Sequence, residues 1–203
     1  HTYWINLEKS EEELLKNMKR QTRYEIKRGL KSSLNIERYD KPTKNLFEVF
    51  WNYYSSLGNA KGFNIIDKKQ LELEFFSLMT AGFANFFIIK CDERIVNVSF
   101  ASNLGIATYL YGAMNPLFKS IDHCPSPGQI AQWEMIKYMK SRQVRIYDLG
   151  FCPGEKPIKG HPEYHIWRFK YGFGGKHIQF LPTFGIRLKP IKGKLFEKIK
   201  YKI

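Results

Sequence analysis

Between Phe83 and Ala113 the chain spells three apolar-rich runs joined by two short polar turns, and this stretch restricts the fold more than any other. Phe83–Ile89, Ile95–Asn103 and Ile106–Ala113 have the length and the β-branched and aromatic content of strands. Cys91-Asp92-Glu93-Arg94 and Asn103-Leu104-Gly105 supply the turns between them. Connections this short join antiparallel neighbours, so the stretch is predicted to be a three-stranded meander. Before it come a short strand over residues 2–7, a helix from Ser10 to about Gly29 and a strand over Leu34–Tyr39. Ser10-Glu11-Glu12-Glu13 is a capping box with acidic residues in the first turn. Thr43 caps a helix that ends near Gly58 and buries Leu46, Phe47, Phe50, Trp51 and Tyr54. Another helix starts at about Asp67, with Leu71, Phe75, Phe76 and Met79 inward. After the meander, Pro125-Ser126-Pro127-Gly128 leads into a helix holding Ile130, Trp133, Ile136 and Met139, with Trp133 read as core. A strand over Val144–Leu149, a short helix around Glu163–Tyr171 and a strand around His177–Leu181 complete the order. A meander that passes through a helix into a parallel neighbouring strand gives an α/β fold, with a mixed, mainly antiparallel central sheet flanked by helices.

A chain of 203 residues with 43% hydrophobic content has enough apolar surface for one real core. Its 33 Lys and Arg against 19 Asp and Glu give a formal charge of +14. That balance suits a polyanionic partner, whether nucleic acid, an acidic membrane surface or a phosphorylated substrate; it also suits a merely soluble basic protein. Cys91, Cys124 and Cys152 form no CxxC pair, which points to a reducing compartment without a disulfide framework. No apolar run approaches the length of a membrane span. The chain begins at His1, in what reads as mid-fold strand, so a fragment of a longer protein is expected.

Several places carry candidate chemistry. On the opening helix, Lys16, Arg20, Arg23, Lys27 and Lys31 are spaced for one face, which is either a phosphate-binding stripe or a solvated one. Trp167-Arg168-Phe169-Lys170-Tyr171-Gly172-Phe173-Gly174-Gly175 reads as a helix end that holds Lys170 among aromatics before a glycine-rich turn. Such a lysine can position an anion or stabilise a developing oxyanion; the alternative is a snorkelling lysine before a glycine cap. Asp148 ends a buried strand, as a general base, a ligand-orienting carboxylate or a cap for the following loop. Tyr109 and Tyr111, two apart on one strand, are expected to face the same side and to line an acceptor groove or sit in core. His161 and His165 lie four apart, but no carboxylate or third histidine has matching spacing, so a helix start is favoured over a metal site. P-loop, nucleophile-elbow and Rossmann glycine patterns are absent, and no cofactor is expected. From Arg187 the tail carries Lys189, Lys192, Lys194, Lys198, Lys200 and Lys202 against Glu197, a basic amphipathic segment suited to an anionic membrane leaflet, RNA or another protein unit.

The element order is similar to that of the GNAT acyltransferases. Several segments together resemble the Fem family, the aminoacyl-tRNA-dependent transferases that build peptidoglycan cross-bridges. They are Leu7 to Leu15 running into Met18-Lys19-Arg20-Gln21-Thr22-Arg23-Tyr24-Glu25-Ile26-Lys27, then Thr108-Tyr109-Leu110-Tyr111-Gly112-Ala113, Pro127 to Ile136, Ile146-Tyr147-Asp148-Leu149-Gly150, and Phe169 to Gly175. The resemblance implies a single GNAT-like unit over 1–203, the second half of a two-unit protein, opening on a basic helix (1–31) and closing on a basic tail (187–203). It implies amide formation, with an aminoacyl-tRNA as donor and the peptide amine of a peptidoglycan or lipid-linked precursor as acceptor. Lys170 matches the family's Phe-Lys pair and would stabilise charge, with Phe169 supporting it. Tyr109, Tyr111, Asp148 and Arg168 would bind substrate, and Lys16, Arg20, Arg23 and Lys27 the phosphates of tRNA. A cytoplasmic protein touching the inner face of an anionic membrane would follow. Acyl-CoA enzymes of the GNAT group carry a Q/R-x-x-G-x-G/A loop, which His123 to Ala131 does not match, and Pro125 and Pro127 remove two backbone donors there. An N-acyltransferase using acyl-CoA or acyl-carrier protein on a small amine or glycan is one alternative; a noncatalytic RNA-binding module is the other.

Overall fold

The computed structural model describes residues 1–121 and 124–181. The basic tail from Arg187 lies outside the described residues. In chain order the elements are β1 (Thr2–Asn6), α1 (Glu11–Asn17), α2 (Arg20–Gly29), β2 (Asn35–Tyr39), α3 (Lys44–Lys61), α4 (Lys68–Thr80), β3 (Ala84–Cys91), β4 (Arg94–Leu104), β5 (Ile106–Met114), α5 (Pro127–Ser141), β6 (Ile146–Asp148), α6 (Tyr164–Tyr171) and β7 (Lys176–Ile178), with a 3-10 turn at Pro116–Ser120. They form one seven-stranded sheet in the order β2-β3-β4-β5-β6-β1-β7. Only β5 and β6 run parallel, joined through α5; every other pair is antiparallel. The meander and its parallel exit are as the sequence implies. β1 takes an interior place between β6 and β7, which local pattern does not reveal.

Both faces of the sheet are covered. Along β3, Phe86 and Ile88 face α3 and α4, while Phe87 and Ile89 face α2 and α5. A strand buried on both sides reads as a continuous apolar run, which is what Phe86-Phe87-Ile88-Ile89 is. The α3/α4 layer is an aromatic cluster in which Phe50 lies within 6.1 Å of the rings of Tyr54, Phe75, Phe86, Phe100 and Tyr111. The other layer packs Ile26 of α2 and Ile130, Trp133, Ile136 and Met139 of α5 onto Val96, Ala101, Ala107 and Tyr147. Each such large side chain contributes about 1.5–3 kcal/mol on burial.

Three expectations are corrected. The opening helix is two helices: the capping box forms at Ser10 and Glu13, but the backbone turns extended at Met18 (ψ 150°) and restarts at Arg20. The break is held by tertiary contacts. The Lys19 N–H donates to the Gly172 carbonyl at 2.9 Å, and the Arg23 guanidinium donates to the carbonyls of Leu15, Lys16 and Met18, satisfying the open end of α1. The helix from Thr43 runs past Gly58 to Lys61 and ends on Gly62, whose φ of +69° provides the left-handed cap. Tyr109 and Tyr111 do not share a face. The register pairs Phe100 with Tyr111 and Ala101 with Tyr109, leaving Leu110 as a bulge that breaks the two-residue period. Tyr109 therefore joins the α5 layer and Tyr111 the α3/α4 layer.

Candidate active site

β5 and β6 pair only through Ala107 with Tyr147 and Thr108 with Asp148. Beyond that point β5 continues to Met114 while β6 ends, so the two strands part. Gly150 makes the parting possible. Its φ is +74°, and a Cβ there would meet the Tyr109 carbonyl oxygen at 2.6 Å, so only glycine fits without displacement.

Lys170 reaches this gap from α6. It is buried, at 7% exposure, and its Nζ donates to the Phe151 carbonyl at 2.5 Å. The same Nζ lies 5.8 Å from the centroid of the Tyr109 ring. Burial lowers the Lys170 pKa to about 8, with Cys152 and Asp148 opposing the shift. At neutral pH it is still mainly the cation. The residue is thus a charged donor in a dry place, with one acceptor among the described residues and N–H groups to spare.

Tyr109 is a fixed platform. Its buried hydroxyl lies beside Ser99 and Gln132, where a side chain on Gly112 would collide at 1.9 Å. Gln132 also accepts from the Tyr147 hydroxyl at 2.8 Å. Burial pushes the Tyr109 phenol up to about 12, so it stays protonated. Asp148 is engaged in structure: it accepts from Trp4 Nε1 at 3.0 Å, from the Gly150 N–H at 2.7 Å and from the Thr2 hydroxyl. Of its three possible roles, this geometry is that of the cap, tying β1 to the loop after β6.

Phe169 rests on Gly128 at the start of α5 and meets Phe173 edge-on at 5.3 Å. Arg168 is exposed. Tyr171 turns away from Lys170, stacks on Trp167 at 4.9 Å and receives Lys19 Nζ 4.5 Å from its ring. The aromatic wall beside Lys170 is therefore Tyr109, remote in sequence, and not its chain neighbours. The glycines after Lys170 admit the α1–α2 junction: a Cβ on Gly174 (φ +71°) would lie 2.2 Å from the Asn17 carbonyl oxygen. Of the four cations expected to bind phosphates, Lys16, Arg20 and Lys27 are exposed, while Arg23 is half-buried on the end of α1.

Sequence reasoning missed Glu25. This buried carboxylate on α2 accepts from the Ser126 N–H at 3.4 Å, at the start of α5, and also from Gln21 at 3.0 Å. It holds the helix end where an anion would otherwise be drawn. A single acid inside the Arg20–Lys31 run was the available signal. His161 Nδ1 takes the Glu163 N–H at 3.2 Å, and among the described residues no group of three metal-ligating side chains occurs. No helix among the described residues is long and apolar enough to cross a membrane.

The meander, the parallel exit through α5 and the splay between β5 and β6 define a GNAT-like fold. The structure of FemX matches it with a TM-score of 0.75 and 18% identity, covering 86% of this chain and 58% of FemX. A conserved protein of unknown function from Bacteroides thetaiotaomicron matches with a TM-score of 0.57 and 11% identity, covering 87% of this chain and 56% of its own. The C-terminal domain of a protein assigned as a lysylphosphatidylglycerol synthetase from Agrobacterium fabrum matches with a TM-score of 0.55 and 10% identity, covering 86% and 53%. At these identities the likeness is one of fold, and the resemblance to the Fem family holds at that level. The chain spans a little over half the length of each of these structures. No family model and no curated protein sequence matches it.

Proposed function

We propose that this chain is an acyltransferase unit of the Fem type, which passes an aminoacyl group from aminoacyl-tRNA to an amine of a peptidoglycan precursor. The observation that carries the reading is the buried cation of Lys170 at the splay of β5 and β6. In the reaction the acceptor nitrogen attacks the ester carbonyl carbon. A C–N bond forms, the C–O bond to the ribose breaks, and the proton released by the amine ends on the ribose oxygen. Lys170 offers its free N–H groups to the carbonyl oxygen as it gains charge. Tyr109 keeps the lysine in place, and Phe169 holds α6 against α5.

Glu25 favours the tRNA donor over acyl-CoA. With its carboxylate on Ser126, and with prolines at 125 and 127, the start of α5 offers little to a pyrophosphate. The exposed cations Lys16, Arg20 and Lys27 and the charge of +14 suit the tRNA backbone. The test is donor dependence: purified chain is incubated with a labelled aminoacyl-tRNA or a labelled acyl-CoA and a muropeptide acceptor. Transfer from aminoacyl-tRNA alone, lost in Lys170→Ala, is expected. Product from acyl-CoA would move the reading to the N-acyltransferase alternative. RNA retention without product from either donor would move it to the RNA-binding module.

A further inference from the structure

The bulge at Leu110 sends Tyr111 to the opposite face of the sheet from Lys170, into a group of side chains that the transfer chemistry above does not use. The Tyr111 hydroxyl donates to Glu74 Oε2 on α4 at 3.0 Å. Tyr54 of α3 meets the Tyr111 ring edge-on at 5.7 Å, and Phe63, from the loop between α3 and α4, lies 5.7 Å from Tyr54. Tyr54 is buried, Tyr111 and Glu74 are half-buried, and Phe63 is 40% exposed, so the group opens to solvent on the side of the loop. Gly58 lets that loop fold back, because a Cβ there would lie 2.4 Å from Ile65 and 3.2 Å from Phe63.

Glu74 is half-buried and bonded to a phenol rather than to a cation. Lys and Arg outnumber Asp and Glu by 33 to 19, yet among the described residues no cation forms an ion pair with Glu74. One phenol leaves most of the acceptor capacity of a carboxylate unused. A carboxylate bonded to a tyrosine at the edge of an aromatic group is chemistry that takes an ammonium, through a charge-assisted hydrogen bond to the carboxylate and the face of a neighbouring ring. The place also fits. Tyr111 lies on the part of β5, past Thr108, that has no partner on its β6 side. The group therefore borders the same splay that Lys170 reaches from the other layer.

We propose that Glu74, with Tyr54, Phe63 and Tyr111, is a subsite for a primary ammonium group of the acceptor other than the amine that attacks, a reading that rests on the acyl-transfer function above. It positions the acceptor and performs no bond making. The probes are n-hexylammonium and n-hexanol, titrated into the 203-residue chain with its Tyr and Phe rings 13C-labelled. Saturable shifts of the Tyr54, Phe63 and Tyr111 ring signals are expected with hexylammonium. Binding at least about tenfold weaker is expected for hexanol and for hexylammonium with Glu74→Gln. Equal binding of the two probes, or undiminished binding by Glu74→Gln, overturns the subsite. The shift pattern in a chain that transfers nothing from any donor upholds the subsite and removes the transferase reading. Transfer with an acceptor KM that Glu74→Gln leaves unchanged upholds the transferase and removes the subsite.

Discussion

Lys170 Nζ donates to the Phe151 carbonyl oxygen at 2.5 Å, which ties the last turn of α6 to the loop leaving β6. The bond places the ammonium at the mouth of the gap between two parallel strands, where burial has removed most of its water. A charge held that way costs stability and has a use only if something negative arrives or develops beside it.

Replacing Lys170 should therefore separate stability from activity. Lys170→Ala is expected to lower kcat by about 10²–10³, the usual effect of losing one oxyanion donor. Lys170→Met fills the same volume without the charge and should raise stability at pH 7 by about 1–3 kcal/mol. Urea unfolding measures one effect and single-turnover transfer the other. A methionine variant that is both active and no more stable would contradict both.

The pH dependence follows from the same shift. If Lys170 acts as a cation, the rate is flat below and falls above an apparent pKa near 8. A base would give the opposite slope. For stability, the unfolded lysine holds its proton up to about 10.5 and the folded one only to about 8, so between these values the unfolded chain binds more protons. Stability therefore rises with pH across that window relative to Lys170→Met, and the advantage of the methionine shrinks there. Parallel melts from pH 7 to pH 10.5 check it.

Asp148 should behave as a structural carboxylate. Asp148→Ala strands Trp4 Nε1 and the Gly150 N–H and is expected to cost about 2–4 kcal/mol. Asp148→Asn, which keeps an acceptor, costs less and leaves kcat within a few-fold of the parent. A large kcat loss in the asparagine variant with an unchanged denaturation midpoint would make Asp148 a participant in the chemistry.

Glu25 should behave as a built-in anion. Glu25→Ala uncovers the start of α5 and is expected to lose about 1 kcal/mol. Added pyrophosphate should restore part of that stability in the variant and do nothing for the parent. Thermal melts with and without pyrophosphate decide the point; equal stabilisation of both proteins would show that Glu25 does not guard the helix end.

The layers of this protein are legible because local pattern and burial agree. Phe86 to Ile89 announces a strand buried on both sides, Ser10 and Glu13 announce a helix start, and Thr43 and Asp67 cap the helices that follow. The segment around Lys170 stands out in the sequence because a lysine among aromatics before three glycines offers both a charged site and a glycine cap. Helix ends and strand faces are less legible. The helix breaks at Met18 because Gly172 accepts from the Lys19 N–H and Arg23 donates to the Met18 carbonyl, and both partners act only once the chain is folded.

The sequence by itself determined the element types, the meander, the parallel exit through α5 and the lysine worth examining, because each depends on neighbours a few residues apart. Tertiary structure alone decided which side chains surround that lysine. The bulge at Leu110 assigned Tyr109 to Lys170 and Tyr111 to Glu74, and the insertion of β1 beside β6 brought Thr2 and Trp4 onto Asp148. Those pairings span tens to more than a hundred residues. They are set by strand register and by the close backbone approach at Gly150, quantities that exist only after the sheet has formed.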